Sequence, residues 1–130
     1  VTSNSNLKNT YGDIYLERHG VRFNTKQQFL GAIIGDHVKM GIGTVLNSGT
    51  IVSFGCNLTG STFHTKFLPA FTWGSRDTYE TFKLSKFFDM ANKMMGRRNK
   101  QMSDDEKQVV EFIHDVSMKQ LKEELQIIII

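Results

Sequence analysis

A six-residue repeat of apolar side chains restricts how this chain can fold more than any other sequence feature. Between residues 30 and 61, every sixth position is a large apolar residue: Ile34, Met40, Leu46, Val52 and Leu58. Small or polar residues follow them directly: Gly35, Gly41, Asn47, Ser53 and Thr59. Because glycine, asparagine and serine tolerate the backbone of tight turns, the repeat predicts short strands separated by corners.

Hexapeptide repeats of this kind are typical of parallel β-helices, in which inward aliphatic side chains stack from coil to coil. The predicted fold class is therefore mainly β, a left-handed parallel β-helix. The alternative is an ordinary antiparallel sheet, whose period of two explains the alternation but not the regular glycines. Only about one and a half coils fit between residues 30 and 61, and a stable solenoid needs about three repeats. We therefore expect further coils before Val1, association of subunits, or both.

The segments outside the repeat predict a hairpin and a cap. Residues 7–29 break the repeat and alternate like two strands around His19 and Gly20, which predicts an inserted β-hairpin. The segment that follows the repeat carries Phe67, Phe71 and Trp73. These aromatic residues could line a ligand groove or cap the solenoid, and capping is favoured because the end of a solenoid needs a cap. The predicted domains are residues 1–61 for the coils with their inserted hairpin, 62–76 for the aromatic capping loop, and 77–130 for a helical hairpin.

Two helices are predicted in the last part of the chain, where apolar residues adopt helical spacing from Leu84 onwards. Gly96 is suited to end the first helix, and the run from Ser103 to Glu106 is a capping box that begins the second. Together they predict a C-terminal α-helical hairpin. The final Ile127–Ile130 could be a short terminal strand or a tag-like addition, and the sequence does not decide between them.

Composition excludes several classes of function. The chain has 16 Lys and Arg against 13 Asp and Glu, a balance that argues against a nucleic-acid partner. Its single cysteine excludes an intrachain disulfide and fits a reducing compartment. No apolar stretch is long enough to span a bilayer, and the polar first residues are not a signal peptide. We therefore predict a cytoplasmic protein with no membrane partner, and the absence of an initiator methionine suggests a fragment of a longer one.

Histidines and asparagines are the first candidates for chemistry. Acyl transfer needs a base, which is usually a histidine. His37, beside Asp36, is the candidate catalytic residue. The favoured alternative is that His37 is a solvated turn residue or a subunit contact. Asn4, Asn6 and Asn9 could bind a phosphorylated sugar through their amides, or could serve the turns of the fold, and this choice stays open. The scattered histidines and lone cysteine give no support to a metal site.

Several of these segments resemble a known family. They are Asn4-Ser5-Asn6-Leu7-Lys8-Asn9, residues 30–37, 41–44 and 46–50, and the loop 67–74. Together they resemble the C-terminal domain of the bifunctional N-acetylglucosamine-1-phosphate uridyltransferase/glucosamine-1-phosphate N-acetyltransferase family (GlmU), and more closely a bacterial branch of GlmU-like sugar nucleotidyltransferases. The resemblance covers roughly residues 2 to 100.

The resemblance implies a trimeric acyltransferase domain that uses acetyl-coenzyme A as donor, with active sites between subunits. It also implies an N-terminal nucleotidyltransferase domain, the part that would use Mg²⁺, and this chain lacks that domain. The family's catalytic histidine lies on a coil just before the asparagine-rich segment, which this chain also lacks. The resemblance therefore implies that this chain alone does not complete the family reaction.

Individual site residues follow from the same resemblance. Asn6 matches an asparagine that contacts the sugar phosphate, and Gln28 lies near a substrate-binding lysine. Ile42 replaces a serine that touches coenzyme A, and Gly60 matches a small residue whose backbone lines the coenzyme A groove. Leu7 stands where the acetyltransferases have a tyrosine.

Two hypotheses about function follow. The first is an acyltransferase-like C-terminal domain of a sugar-nucleotide biosynthesis enzyme, which carries out acetyl-CoA-dependent N-acetylation of an amino-sugar phosphate and is incomplete in this chain. The alternative is a catalytically silent trimerisation module of a sugar-1-phosphate nucleotidyltransferase. Asn6 and Gly60 favour the first, and Leu7 and Ile42 favour the second. The residues leave open whether the chain is an enzyme, which sugar it accepts and which acyl group it transfers.

Overall fold

The structure is a computed structural model that describes residues 3–129, with side chains as far as residue 123. The chain divides into two compact units, Val1–Thr81 and Phe82–Ile130. Among the described residues, the strands of the first unit are β1 (Ser3–Ser5), β2 (Tyr15–Arg18), β3 (Val21–Asn24), β4 (Ile33–Ile34), β5 (Lys39–Met40), β6 (Thr44–Leu46), β7 (Ile51–Val52), β8 (Asn57–Leu58), β9 (Phe67–Leu68), β10 (Thr72–Gly74) and β11 (Glu80–Thr81). The helices of the second unit are α1 (Leu84–Gly96) and α2 (Asp104–Ile129).

The predicted left-handed parallel β-helix is wrong. The described strands are two to four residues long and belong to four small sheets, with the orders β1-β6, β11-β10-β8-β5, β2-β3 and β4-β7-β9. None of these sheets closes on itself, and antiparallel pairs occur between β2 and β3 and between β10 and β11. The repeat sets where strands and turns alternate, but it does not set how the short strands combine, and here backbone pairing is divided among separate mixed sheets.

Within the repeat, each strand pairs in parallel with a strand that lies three repeats further along the chain. Ile33 pairs with Ile51 and Lys39 pairs with Asn57. This pairing stacks the apolar residues of successive repeats into a buried cluster, Leu46, Val52, Cys56, Leu58 and Leu68. Ile34, on the outer strand β4, remains 51% exposed.

A hairpin lies within the segment 7–29, where the alternation indicates one. Strands β2 and β3 are antiparallel, and both residues of the tip have positive φ, +48° at His19 and +77° at Gly20. Positive φ at both central residues is typical of the two-residue turns that connect the strands of a hairpin. At the base, the hydroxyl of Thr25 donates to the carbonyl of Ile14 at 2.6 Å, and Ile14 is buried.

The helices of the second unit begin and end much as their capping residues predict. The Ser103 hydroxyl accepts the N–H of Glu106 at 3.1 Å at the start of α2, as an N-cap does. The ring of Phe87 is buried on α1 and meets Phe82 edge to face at 5.8 Å. Helix α2 runs to Ile129, so the terminal-strand alternative does not hold for residues 127–129, and Ile130 lies outside the described residues. No helix among the described residues is long and apolar enough to cross a bilayer.

Gly49 gives a test of how tightly the hairpin base packs on the repeat. Its φ is +75°, and a Cβ there would lie 2.7 Å from Ile14 Cγ2 and 2.9 Å from the Tyr15 carbonyl oxygen. We expect Gly49→Ala to lower the free energy of unfolding by the cost of left-handed backbone, roughly 1–2 kcal/mol, plus an overpacking cost of roughly 1–3 kcal/mol.

The matched control is Gly43→Ala, because Gly43 has the same φ of +75° and no atom within 4 Å of its Cβ position. Gly43→Ala should lower the free energy of unfolding by the cost of the left-handed backbone alone. Urea unfolding of the two variants measures the difference, and equal destabilisation would show that the Ile14 contact at the hairpin base is not tight.

Candidate functional site

A cavity of about 200 Å³ opens where β1, β6 and the hairpin base meet. Its walls come from four separate stretches of the chain: Asn6, Leu7, Lys8 and Asn9 after β1, Ile14 before β2, Asn47 and Ser48 after β6, and Lys66 before β9. The lining therefore combines amides, a hydroxyl and two ammonium groups with two apolar side chains. None of these lining residues carries a carboxylate.

The parallel pair of β1 and β6 brings the two amide-bearing segments together. Ser5 pairs with Leu46, so the residues that follow the two strands lie side by side at the same end of the pair. The N–H of Asn6 donates to the carbonyl of Leu46 at 2.8 Å, and the hydroxyl of Ser48 donates to the carbonyl of Asn6 at 2.5 Å. Asn6 and Asn47 are therefore positioned by backbone pairing rather than by a flexible loop.

Backbone carbonyls hold the two lysines at the cavity. Lys8 Nζ donates to the carbonyl of Asp13 at 2.5 Å, and Lys66 Nζ donates to the carbonyl of Tyr15 at 2.6 Å. Burial lowers the pKa of Lys66; the charge of Glu17 opposes this, and the charges of Lys8 and Arg22 add to it. The cavity thus concentrates positive charge, and a bound anion would relieve the repulsion between the two ammonium groups.

Of the residues that the sequence indicates for substrate binding, the cavity contains Asn6. Asn4 lies on β1 opposite Val45 and is exposed, and Gln28 is exposed and outside the cavity lining. Of the two candidates for coenzyme A, Ile42 is 83% exposed in the turn after β5, and Gly60 has a φ of +88° and lies against Ser75. The roles of these residues stay predictions.

The candidate catalytic histidine lies elsewhere in the first unit. His37 adopts a positive φ of 56°, and its half-buried ring meets Phe54 edge to face at 5.5 Å. It is not among the residues that line the cavity. Its catalytic role stays a prediction, and the ring contact agrees with a packing role at a turn.

His64 is the most buried of the four histidines, at 1% exposure. Its Nδ1 lies 2.6 Å from the hydroxyl of Tyr79. Burial lowers the pKa of His64; the Thr59 backbone opposes this, and the charge of Arg76 lowers it further. The ring is therefore held neutral by its surroundings, which makes it a structural group rather than an exposed base.

The described part of the chain offers neither an exposed thiol nor a cluster of metal ligands. Cys56 is fully buried, and burial raises its pKa to about 11, so the thiol stays protonated near neutral pH and is a poor nucleophile. Among the described residues, no group of three His, Cys, Asp or Glu side chains could hold a metal ion.

An apolar groove of about 500 Å³ lies along the hairpin, separate in its lining from the cavity. Leu16, Val21, Phe23 and Ile51 supply most of its walls, and Glu17, Arg18 and His19 also line it. Val21 is 70% exposed and Phe23 is 64% exposed. Apolar surface of this kind often marks an interaction site.

Lys66, Asn47 and Ser48 are the site residues that sequence reasoning missed. The repeat predicts a corner at Asn47, a role that does not exclude ligand binding, and it gives no particular role to Ser48. Lys66 follows no motif, and its position in the cavity depends on the path of residues 59–66 beside the repeat. Only the paired strands of the folded chain bring it near Asn6.

Comparison with known proteins adds no relative: no family model, no curated protein and no solved structure matches this chain. The function must therefore be argued from the residues and the geometry above.

The environment of His64 predicts a pH dependence of stability. Because its pKa is lowered in the folded state, the unfolded chain takes up the proton first as pH falls. The stability is fully present above the ordinary histidine pKa of about 6.5 and declines as pH falls below it toward the folded-state pKa. Urea unfolding between pH 7.5 and 5.5 measures this decline, and His64→Gln should make it shallower. An unchanged slope in the variant would contradict the assignment.

Proposed function

We propose that this chain is the acyltransferase-like domain of a sugar-nucleotide biosynthesis enzyme, and that the cavity binds an amino-sugar phosphate. The observation that carries the proposal is the pair of ammonium groups, Lys8 and Lys66, beside the amides of Asn6 and Asn47 in one cavity without a lining carboxylate. The resemblance of the asparagine-rich segment supports the same assignment.

The two lysines suit a phosphate group. A phosphomonoester carries up to two negative charges and several acceptor oxygens, and lysine binds phosphate as a point charge. Both ammonium groups are anchored by backbone carbonyls, and each retains further N–H donors for a ligand. The phosphate would lie between Lys8 and Lys66.

The remaining lining suits a sugar ring. The side-chain amides of Asn6, Asn9 and Asn47 offer both donors and acceptors, which matches the hydroxyl groups of a sugar. Leu7 and Ile14 offer apolar contact to a ring face. A volume of about 200 Å³ lies below the roughly 300–1,000 Å³ typical of drug-sized ligands. The size therefore favours a monosaccharide phosphate over a sugar nucleotide.

In the proposed reaction, the amine of the sugar attacks the carbonyl carbon of acetyl-coenzyme A, the C–S bond breaks, and coenzyme A leaves as its thiol. Such a step needs a base for the amine proton and donors for the oxyanion. We propose that Asn6 holds the acceptor and that Ile42 and Gly60 lie along the donor. The resemblance assigns the base to a coil that precedes the asparagine-rich segment, and the role that we propose for the cavity is to bind the acceptor. We also propose a cytoplasmic location, which a coenzyme A thioester substrate would support.

The apolar groove favours a second candidate, the silent trimerisation module. Val21 and Phe23 are exposed on the hairpin, and Ile33 and Ile51 pair on adjoining strands of one sheet. A homotrimer that buries this surface would remove it from water, at a gain of about 25 cal/mol per Å² of apolar area. This candidate requires association but no ligand in the cavity.

Titration calorimetry with glucosamine 1-phosphate tests the leading proposal. We expect saturable binding to the intact chain, and Lys66→Met or Lys8→Met should weaken it at least about tenfold, because a hydrogen bond to a charged group contributes roughly 1.5–3 kcal/mol. Lys93→Met is the matched control: Lys93 is exposed on α1 and pairs with Asp89 at 2.9 Å. Absence of binding to the folded chain, or equal weakening by Lys93→Met, would overturn the proposal.

Light scattering tests the second candidate. We expect a homotrimer, and Phe23→Asp should dissociate it because a charge would enter the buried apolar contact. Phe112→Asp, at a residue 67% exposed on α2, is the control for a general loss of solubility. A monomeric parent chain at micromolar concentration would rule out the trimerisation module.

A further inference from the structure

Lys66 differs from an ordinary surface lysine in its position. Its side chain is half-buried beside β9, and its Nζ is fixed by donation to the Tyr15 carbonyl at 2.6 Å while it faces the cavity. Asn6 and Asn47 line the same space. An amine, amide donors and room for a small acyl group therefore meet at one place.

We propose that Lys66 is an acylation site for coenzyme A thioesters, and that its acylation abolishes anion binding in the cavity. The site of modification stands on the geometry of Lys66, whereas the effect on binding rests on the proposed function.

The chemistry is a simple acyl transfer. The neutral Nζ attacks the thioester carbonyl carbon, an N–C bond forms, and the C–S bond breaks with coenzyme A as the leaving thiolate. The proton lost from nitrogen passes to the thiolate or to solvent. The amides of Asn6 and Asn47 can donate to the oxygen of the tetrahedral intermediate, as side-chain amides do in oxyanion sites. The product is a stable Nε-acyl-lysine.

Burial is the main factor that favours the neutral Lys66 amine that this step requires. Burial lowers the pKa of Lys66, the charge of Glu17 opposes this, and the positive charges of Lys8 and Arg22 lower the pKa further. Glu17 also lies 3.8 Å from the guanidinium of Arg22. Neutralising Glu17 should therefore make Lys66 more reactive without any change at the amine itself.

Acylation would change the cavity in two ways. It removes one of the two positive charges and one ammonium donor, which weakens phosphate recognition. It also adds an acyl group within a space of about 200 Å³. Both effects act against an anionic sugar in the cavity, so the modified chain should lose binding while it keeps its fold.

Site-resolved mass spectrometry after incubation of the intact chain with acetyl-coenzyme A at pH 8 tests the proposal. We expect Lys66 to be acetylated at least about fivefold faster than the exposed Lys93, because burial favours the neutral form of the Lys66 amine. Glu17→Gln should accelerate the modification of Lys66 and leave that of Lys93 unchanged. Glu80→Gln, at an exposed residue on β11, is the control.

The labelling outcomes separate this proposal from the proposed function. Equal acetylation of Lys66 and Lys93 overturns the inference even if glucosamine 1-phosphate binds to the unmodified chain. Selective acetylation followed by at least about a tenfold loss of glucosamine 1-phosphate binding supports the inference. Selective acetylation that leaves this binding intact overturns the claimed effect on the cavity. Selective acetylation of a chain that never binds the sugar phosphate supports the modification site and overturns the proposed function.

Discussion

Parallel pairing around a buried aliphatic cluster is the interaction on which the first unit depends. Val52, Leu58 and Leu68 are almost fully buried, and the strands that carry them pair in parallel with neighbours from earlier or later turns of the chain. Each buried aliphatic side chain contributes roughly 1.5–3 kcal/mol relative to an exposed one. The strands are too short to be stable alone, so the backbone pairing and the burial must form together. The same pairing aligns β1 with β6 and thereby creates the wall of the cavity.

The cavity itself depends on segments that do not follow the repeat. Ile14 and the Tyr15 carbonyl come from the hairpin base, and Lys66 comes from the segment before β9. The Tyr15 carbonyl accepts the Lys66 ammonium, which couples the hairpin to the cavity through one charged hydrogen bond. The geometry of the cavity therefore depends on both segments, since a shift of the hairpin base would release Lys66 from its position.

The sequence predicted local structure well where it depended on local constraints. Ser103 caps α2 as its motif predicts. Turns follow the apolar residues at the spacing of the repeat, but the residues with positive φ there are Gly43 and Gly49 rather than the predicted Gly41 and Asn47. The combination of strands into sheets could not be predicted from the period, because short strands can satisfy the same inward pattern in separate sheets. Asn6 could be named as a site residue, whereas Lys66 could not, because its role arises from a contact 51 residues away along the chain.

The two candidate functions differ in what they require of the cavity. A trimerisation module gains nothing from two lysines that face one small space, because burial and mutual repulsion of like charges disfavour the charged form of Lys66. A phosphate ligand reverses that balance: it supplies the missing negative charge, restores the protonated amine and stabilises the folded state in proportion to its binding. The arrangement of charge in the cavity is therefore a cost for a scaffold and a benefit for a binding site. For this reason, we place the phosphorylated ligand ahead of the silent module.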